Sequence, residues 1–293
     1  PLEADRQKHA VALDALAKGR HSDPFALLGL HHADGVRIVR TFQPHAKAVS
    51  LIGADGSLLA EMERIHNDGI FAAILPARKR RYRLRINNYD GTSYDTEDAY
   101  RFPSTLGDLD LYLLGEGSHR NIYSVLGAQP RTLLGVAGTR FAVWAPNASR
   151  VSVIGDFNSW DGRRHAMRVH PGNGIWEIFI PEMTPGAYYK FELCDHNGKL
   201  LPLKSDPLAH YYEPPPGNAA IVYQSQHQWS DNEWQEQRTS NPRLDLPVSI
   251  YEVHLGSWRR NPEQHNRSLT YREMATELVE YVVSMGFTHV ELL

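Results

Sequence analysis

Apolar positions recur at helical spacing first, and then at every second residue. Glu3 to Lys18 is rich in Ala, Leu, Lys and Gln, and Gly19 follows as a C-cap, which predicts one helix. Ser22-Asp23-Pro24-Phe25 supplies a cap and a first-turn proline for a short second helix. From Gly35 the period drops to two: Val36, Ile38 and Arg40 alternate with Arg37, Val39 and Thr41. Tyr82, Leu84 and Ile86 alternate with Arg81, Arg83 and Arg85, so this strand has one buried and one solvated face. Asn67-Asp68-Gly69 and Tyr89-Asp90-Gly91 are turn signals between such runs. Short strands at this spacing predict an antiparallel sandwich.

The pattern then recurs about 100 residues later. Leu28-Gly29 returns as Leu126-Gly127, and Phe42-Gln43-Pro44 as Trp144-Ala145-Pro146. Val49-Ser50-Leu51-Ile52-Gly53 returns as Val151-Ser152-Val153-Ile154-Gly155, and Tyr82-Arg83-Leu84 as Tyr189-Lys190-Phe191. A period this long indicates a duplicated domain rather than a solenoid repeat. The expected organisation is an N-terminal helix over 1–19 and a first module over 20–103. A connector over 104–118, a second module over 119–224 and a polar linker over 225–245 follow.

A third regime starts near residue 246. Val248 to His254 is a compact β-rich run, Thr270-Tyr271-Arg272-Glu273 is a capping box, and Ala275, Leu278, Val279, Val282 and Met285 follow at helical spacing. Phe287 to Leu293 is strand-like again, which predicts a βαβ unit with parallel strands and a right-handed crossover. The fold class is therefore mainly β: two tandem immunoglobulin-like β-sandwich modules, then a βαβ unit with open edges that begins something larger, which the resemblance carried by residues 251–258 and 287–293 implies is the first βαβ unit of a (β/α)₈ TIM barrel. A full barrel takes about 250 residues. The lack of an initial methionine and the stop inside an apolar run lead to the expectation that both ends are cut.

Composition narrows the function classes. A net charge of −3 from 31 basic and 34 acidic side chains argues against a nucleic-acid surface or a polybasic membrane patch. No apolar run reaches the roughly 20 residues that span a bilayer. Cys194 alone excludes an intrachain disulfide and a cysteine zinc site, which fits a reducing cytoplasm. The adjacent His31 and His32 do not converge on one ion, so neither a metal nor a cofactor is expected. Arg78-Lys79-Arg80-Arg81 is read as a solvated strand edge that resists pairing.

Four segments carry a resemblance. Trp144-Ala145-Pro146-Asn147-Ala148 with Gly155-Asp156-Phe157-Asn158-Ser159-Trp160, and the Tyr189-Lys190-Phe191 strand, resemble the starch- and glycogen-binding module of α-amylase superfamily enzymes. Tyr251-Glu252-Val253-His254-Leu255-Gly256-Ser257-Trp258 looks like the first barrel strand of branching enzymes, and Phe287 to Leu293 like their second. The resemblance implies a bacterial glycogen branching enzyme, which cuts α-1,4-glucan and transfers the piece to a 6-hydroxyl. It also implies a retaining mechanism, with an aspartate nucleophile and a glutamic acid as acid/base on later barrel strands. No catalytic residue is carried over, and the chain by itself is expected to be inactive. Glu252, Glu291 and His254 are read as structural.

The resemblance makes Trp160 and Lys190 the candidate carbohydrate-binding residues, with glycogen or another α-1,4-glucan as the partner. A flat indole stacks on a glucose ring at little entropic cost, and a lysine bonds sugar hydroxyls. A second stacking tryptophan is expected after Asp195-His196-Asn197-Gly198, but Lys199 and Leu200 stand there. Trp176 alternates with Ile178 and Ile180 and is expected in the core. The first module has only a tight turn, Gly53 to Ser57, where the second has Phe-Asn-x-Trp, so it is expected to act as a spacer. Two rival functions are a debranching or trehalose-releasing relative and a stand-alone glycan-binding module. Gly256-Ser257-Trp258 argues against the first and the βαβ segment against the second.

Overall fold

The computed structural model describes residues 1–33, 35–76, 81–240 and 245–293. Arg78, Lys79 and Arg80 lie outside the described residues. Arg81 donates to the Leu134 carbonyl at 2.9 Å. The chain divides into two compact units, Pro1–Ser225 and Gln226–Leu293.

The first unit opens with α1 (Leu2–Ala17), closed by Gly19, after which the Arg20 N–H bonds the Ala15 carbonyl at 2.7 Å. Eight strands follow: β1 (Gly29–Ala33), β2 (Val36–Phe42), β3 (Ala46–Ile52), β4 (Leu58–Glu61), β5 (Glu63–His66), β6 (Ile70–Ile74), β7 (Arg83–Asn88) and β8 (Ser93–Thr96). They form two antiparallel sheets, β1-β2-β6-β5 and β4-β3-β7-β8. Val39, Phe71 and Ala73 of one sheet share a core with Val49, Leu51, Leu84 and Ile86 of the other. The alternation in β7 is as the sequence predicts, with Leu84 and Ile86 buried and Arg83 and Arg85 partly exposed. In β2 it is not, because α1 covers the second face. Leu13, Leu16 and Ala17 pack on Ile38, Phe42 and Ile70. Arg40 is thereby buried, and its guanidinium donates to Asp5 at the start of α1 and to the Leu27 carbonyl at 3.0 Å.

The second half of this unit carries α2 (Asp108–Glu116), then β9 (Gly127–Leu133), β10 (Val136–Trp144), β11 (Arg150–Ile154), β12 (Arg168–His170), β13 (Ile175–Pro181), β14 (Tyr188–Cys194) and β15 (Ala220–Ile221). The sheets are β12-β13-β10-β9 and β11-β14-β15. Phe141, Trp176 and Ile178 meet Val151, Val153, Tyr189 and Phe191 between them. Trp176 is buried, as its alternation with Ile178 and Ile180 predicts, and its indole N–H donates to Ala145 O at 3.0 Å.

The two halves of this unit share buried polar devices. Tyr82 donates its hydroxyl to buried Asp98 at 2.6 Å, and Tyr189 donates to buried Asp206 at 2.7 Å. Each aspartate also caps the chain two residues on, at the N–H of Tyr100 or Leu208. The same two residues crowd Gly29 and Gly127, both at positive φ. An added Cβ would lie 2.6 Å from the Tyr100 carbonyl oxygen or 3.0 Å from that of Leu208.

The two halves of the unit touch through several clasps. Glu182 accepts from Arg83 at 2.7 Å and from Thr96 at 3.1 Å. Tyr100 donates to the Arg164 and Ala166 carbonyls at 3.2 and 3.3 Å, and the Arg168 guanidinium lies 3.7 Å from the centre of the Phe25 ring. Glu177, buried on β13, accepts from Ser104 Oγ, Thr105 N and Thr105 Oγ1, each at 2.7 Å, and pairs with His170 at 3.0 Å.

The second unit contains α3 (Asn232–Ser240), inside the stretch read as linker, then β16 (Ile250–Val253), α4 (Leu255–Trp258), β17 (Arg260–Asn261), β18 (Arg267–Ser268), α5 (Tyr271–Ser284) and β19 (His289–Leu292). β16 and β19 pair in parallel, Glu252 opposite Glu291. The predicted capping box forms: Glu273 N donates to Thr270 Oγ1 at 3.3 Å, and Thr270 N to the Glu273 carboxylate at 2.7 Å. Met274, Leu278 and Val282 are buried, whereas Val279, Val283, Met285 and Leu292 stand exposed.

Candidate functional site

Trp160 sits on the loop that leaves β11. Gly155 begins it in extended backbone, passing so close to β14 that a Cβ would lie 2.2 Å from the Tyr188 carbonyl oxygen. One 3₁₀ turn, Asp156–Asn158, follows. Buried Asn158 anchors the turn: its Oδ1 accepts from Gly155 N at 3.0 Å, and its Nδ2 donates to Val153 O at 2.9 Å. The same amide lies 2.9 Å from His165 Nδ1. Burial, reinforced by the neighbouring Arg164 charge, drives the His165 pKa down to about 3. The imidazole is therefore neutral and accepts the amide proton at Nδ1.

Ser159 and Trp160 then adopt left-handed backbone, with φ of 57° and 58°. Two consecutive non-glycine residues in this region cost on the order of 1–3 kcal/mol each and persist only when the surroundings enforce them. The enforcement is visible. Trp160 N donates to Gly155 O at 2.9 Å, and the indole Nε1–H donates to Asp156 Oδ1 at 2.8 Å. The ring is pinned by its polar edge yet retains 37% of its exposure. Nearby, Arg163 clasps Asp161; burial would raise that carboxyl, but the arginine holds it below the usual range.

Lys190 lies on β14 directly opposite Ile154, the last residue of β11. It thus comes from the strand position beside the root of the Trp160 loop. The ammonium donates to Asn218 Oδ1, and Asn218 is fixed in turn by Glu213 Oε1, which accepts its N–H at 2.7 Å. The ladder brings Lys190 and the root of the Trp160 loop to the same end of two paired strands.

Tyr188 was not singled out by the sequence. Two residues before Lys190, it shares that face of β14 and is 39% exposed. Its signal was the alternation of Tyr188, Lys190 and Glu192 with buried Tyr189 and Phe191. At the position expected for a second tryptophan, Leu200 is exposed and Lys199 N donates to Asp195 Oδ1 at 2.9 Å.

Glu252 and Glu291 are exposed on their parallel ladder, and His254 Nδ1 lies 2.8 Å from Ser257 Oγ. Among the described residues, no group of three His, Cys, Asp or Glu side chains could hold a metal ion, and no helix is long and apolar enough to cross a membrane.

Residues 9–100 match the family described as the N-terminal domain of alpha-1,4-glucan branching enzyme GlgB, and residues 125–209 match carbohydrate-binding module 48 (isoamylase N-terminal domain). The chain is 53% identical over 99% of its length to 1,4-alpha-glucan branching enzyme GlgB of Paramagnetospirillum magneticum, covering 39% of that protein. It is 54% identical over 96% of its length to the GlgB of Rubrobacter xylanophilus, and 51% over 99% to that of Rhodospirillum rubrum, covering 38% and 40% of them. The chain thus spans about two-fifths of the length of the curated relatives it matches. With both domain families met in this order and identity above 50% along nearly all its residues, the chain matches the N-terminal portion of the GlgB branching-enzyme family.

Proposed function

We propose that this chain is the glucan-positioning front of a branching enzyme that cuts α-1,4-glucan and transfers the piece to a 6-hydroxyl in glycogen. Trp160 stacks on a glucose ring, and Lys190, from the neighbouring strand, bonds hydroxyls of the same glucan. The observation that carries this reading is the Trp160 indole, held in left-handed backbone and by Asp156 while more than a third of it stays open. A tryptophan serving only the core gains nothing from that placement, whereas a stacking platform needs it. Residues 20–103 and 119–224 are two immunoglobulin-like sandwiches, and residues 246–293 are the first βαβ unit of a (β/α)₈ barrel. The exposed apolar positions of α5 and β19 support that last assignment, since one βαβ unit leaves its core unfinished. The active carboxylates belong to later barrel strands, and the enzyme works in the cytoplasm without metal or cofactor. Affinity electrophoresis through glycogen-containing gels tests the glucan claim. Wild type is retarded and Trp160→Ala much less so; equal mobility of the two would refute the assignment of Trp160.

A further inference from the structure

We propose that the cleft between the two sandwich modules is a second glucan subsite, walled by tyrosines of the first module and continuous with the Trp160 loop. The inference deepens the proposed function and rests on it for the identity of the ligand. Two hollows, of about 540 and 210 Å³, share Gln43, Tyr94, Phe157 and Arg164, so they form one groove. The larger falls within the size range of small-molecule sites. Ser159, the residue before Trp160, lines it, and Phe157 comes from the same loop.

The first-module wall presents Tyr89 and Tyr94, 69% and 41% exposed. Tyr89 is braced from behind, its hydroxyl accepting from Arg64 Nη2 at 3.1 Å. Rigid, amphipathic rings of this kind offer contact area at low entropic cost. Arg164 closes the far side with a single side-chain hydrogen bond, 3.4 Å to Gln43 Oε1, so most of its five donors remain for a ligand.

The charge pattern selects the ligand. Among the residues lining the two hollows, Arg164 is the one guanidinium and stands against the carboxyl groups of Asp90, Glu97, Asp98 and Glu182, the last of them held by Arg83. A phosphate or nucleic-acid ligand needs clustered cations, whereas a neutral polyhydroxyl chain needs aromatic faces and scattered donors and acceptors. The groove provides the second set. The first module, read from sequence as a spacer, thereby becomes half of a binding site.

The test is isothermal titration of the chain with maltoheptaose, comparing wild type, Trp160→Ala and the double variant Tyr89→Ala/Tyr94→Ala. Both tyrosines are exposed, so thermal melts should match wild type. Tyr89→Phe/Tyr94→Phe keeps the rings and should keep binding if stacking is the cause. The double alanine variant is expected to lose about fivefold in affinity. Unchanged affinity in the double variant, with binding weakened by Trp160→Ala, overturns the groove and leaves the Trp160 site standing. Weakened binding in the double variant alone supports the groove and removes Trp160 from the site. Absence of maltoheptaose binding by wild type overturns both.

Discussion

Glu177 fastens Ser104 and Thr105 to β13, and neutralising it should loosen the fold in a pH-dependent way. Burial alone would raise its pKa. Hydrogen bonds from His170, Ser104 and Thr105 outweigh that cost and hold the carboxyl at about 2 instead of 4.5. The difference corresponds to about 3 kcal/mol in favour of the folded state. Because the folded pKa is the lower one, this stability is fully present above pH 4.5 and is lost as pH falls toward 2. Asp98 acts in the opposite sense: burial raises it to about 6, so its contribution falls as pH rises from 3.8 through 6. Both chains carry Asp98, so the difference between wild type and Glu177→Gln isolates Glu177. Urea unfolding at pH 7, 5 and 3 should find the variant about 3 kcal/mol less stable at neutral pH, equivalent to a melting temperature about 6–12 °C lower. The gap should narrow by pH 3. A variant as stable as wild type at pH 7, or a gap that stays constant with pH, would refute the hydrogen-bonded clasp.

Three other outcomes can be checked in the same way. Asp5→Ala strands the buried Arg40 guanidinium and should cost about 3–5 kcal/mol in urea melts, whereas Asp5→Leu combined with Arg40→Met should come close to neutral. Gly29→Ala forces a Cβ to within 2.6 Å of the Tyr100 carbonyl oxygen at positive φ, and should destabilise by about 2 kcal/mol or more, measured calorimetrically. Asn158→Ala removes the buried amide that orders the Trp160 loop, and should lose about 1–3 kcal/mol of stability together with part of the glucan affinity.

Much of this architecture was legible because period-two alternation and repeated turn chemistry are local signals. The parallel strands flanking α5 and its Thr270–Glu273 capping box follow directly from such patterns. The buried Arg40 was not legible. Its position in an alternating strand gave no hint that α1, 35 residues away in sequence at Asp5, would cover that face. The Tyr82–Asp98 and Tyr189–Asp206 pairs were equally silent, because only the folded sheets bring those residues together. At the candidate site the resemblance to glycogen-binding modules pointed to Trp160 and Lys190. The left-handed backbone that holds the indole out depends on geometry that composition does not encode, whereas the exposed Tyr188, two residues before Lys190, was written in the alternation of β14.

A glucan ring stacked on the Trp160 indole must change the surroundings of that fluorophore. The most direct check is intrinsic tryptophan fluorescence of the chain titrated with maltoheptaose, with Trp160→Phe as the reference. Stacking at Trp160 gives a saturable change in wild type that disappears in Trp160→Phe, with affinity weakened by about 1 kcal/mol in a parallel calorimetric titration. A saturable change that persists in Trp160→Phe, at unaltered affinity, would contradict it.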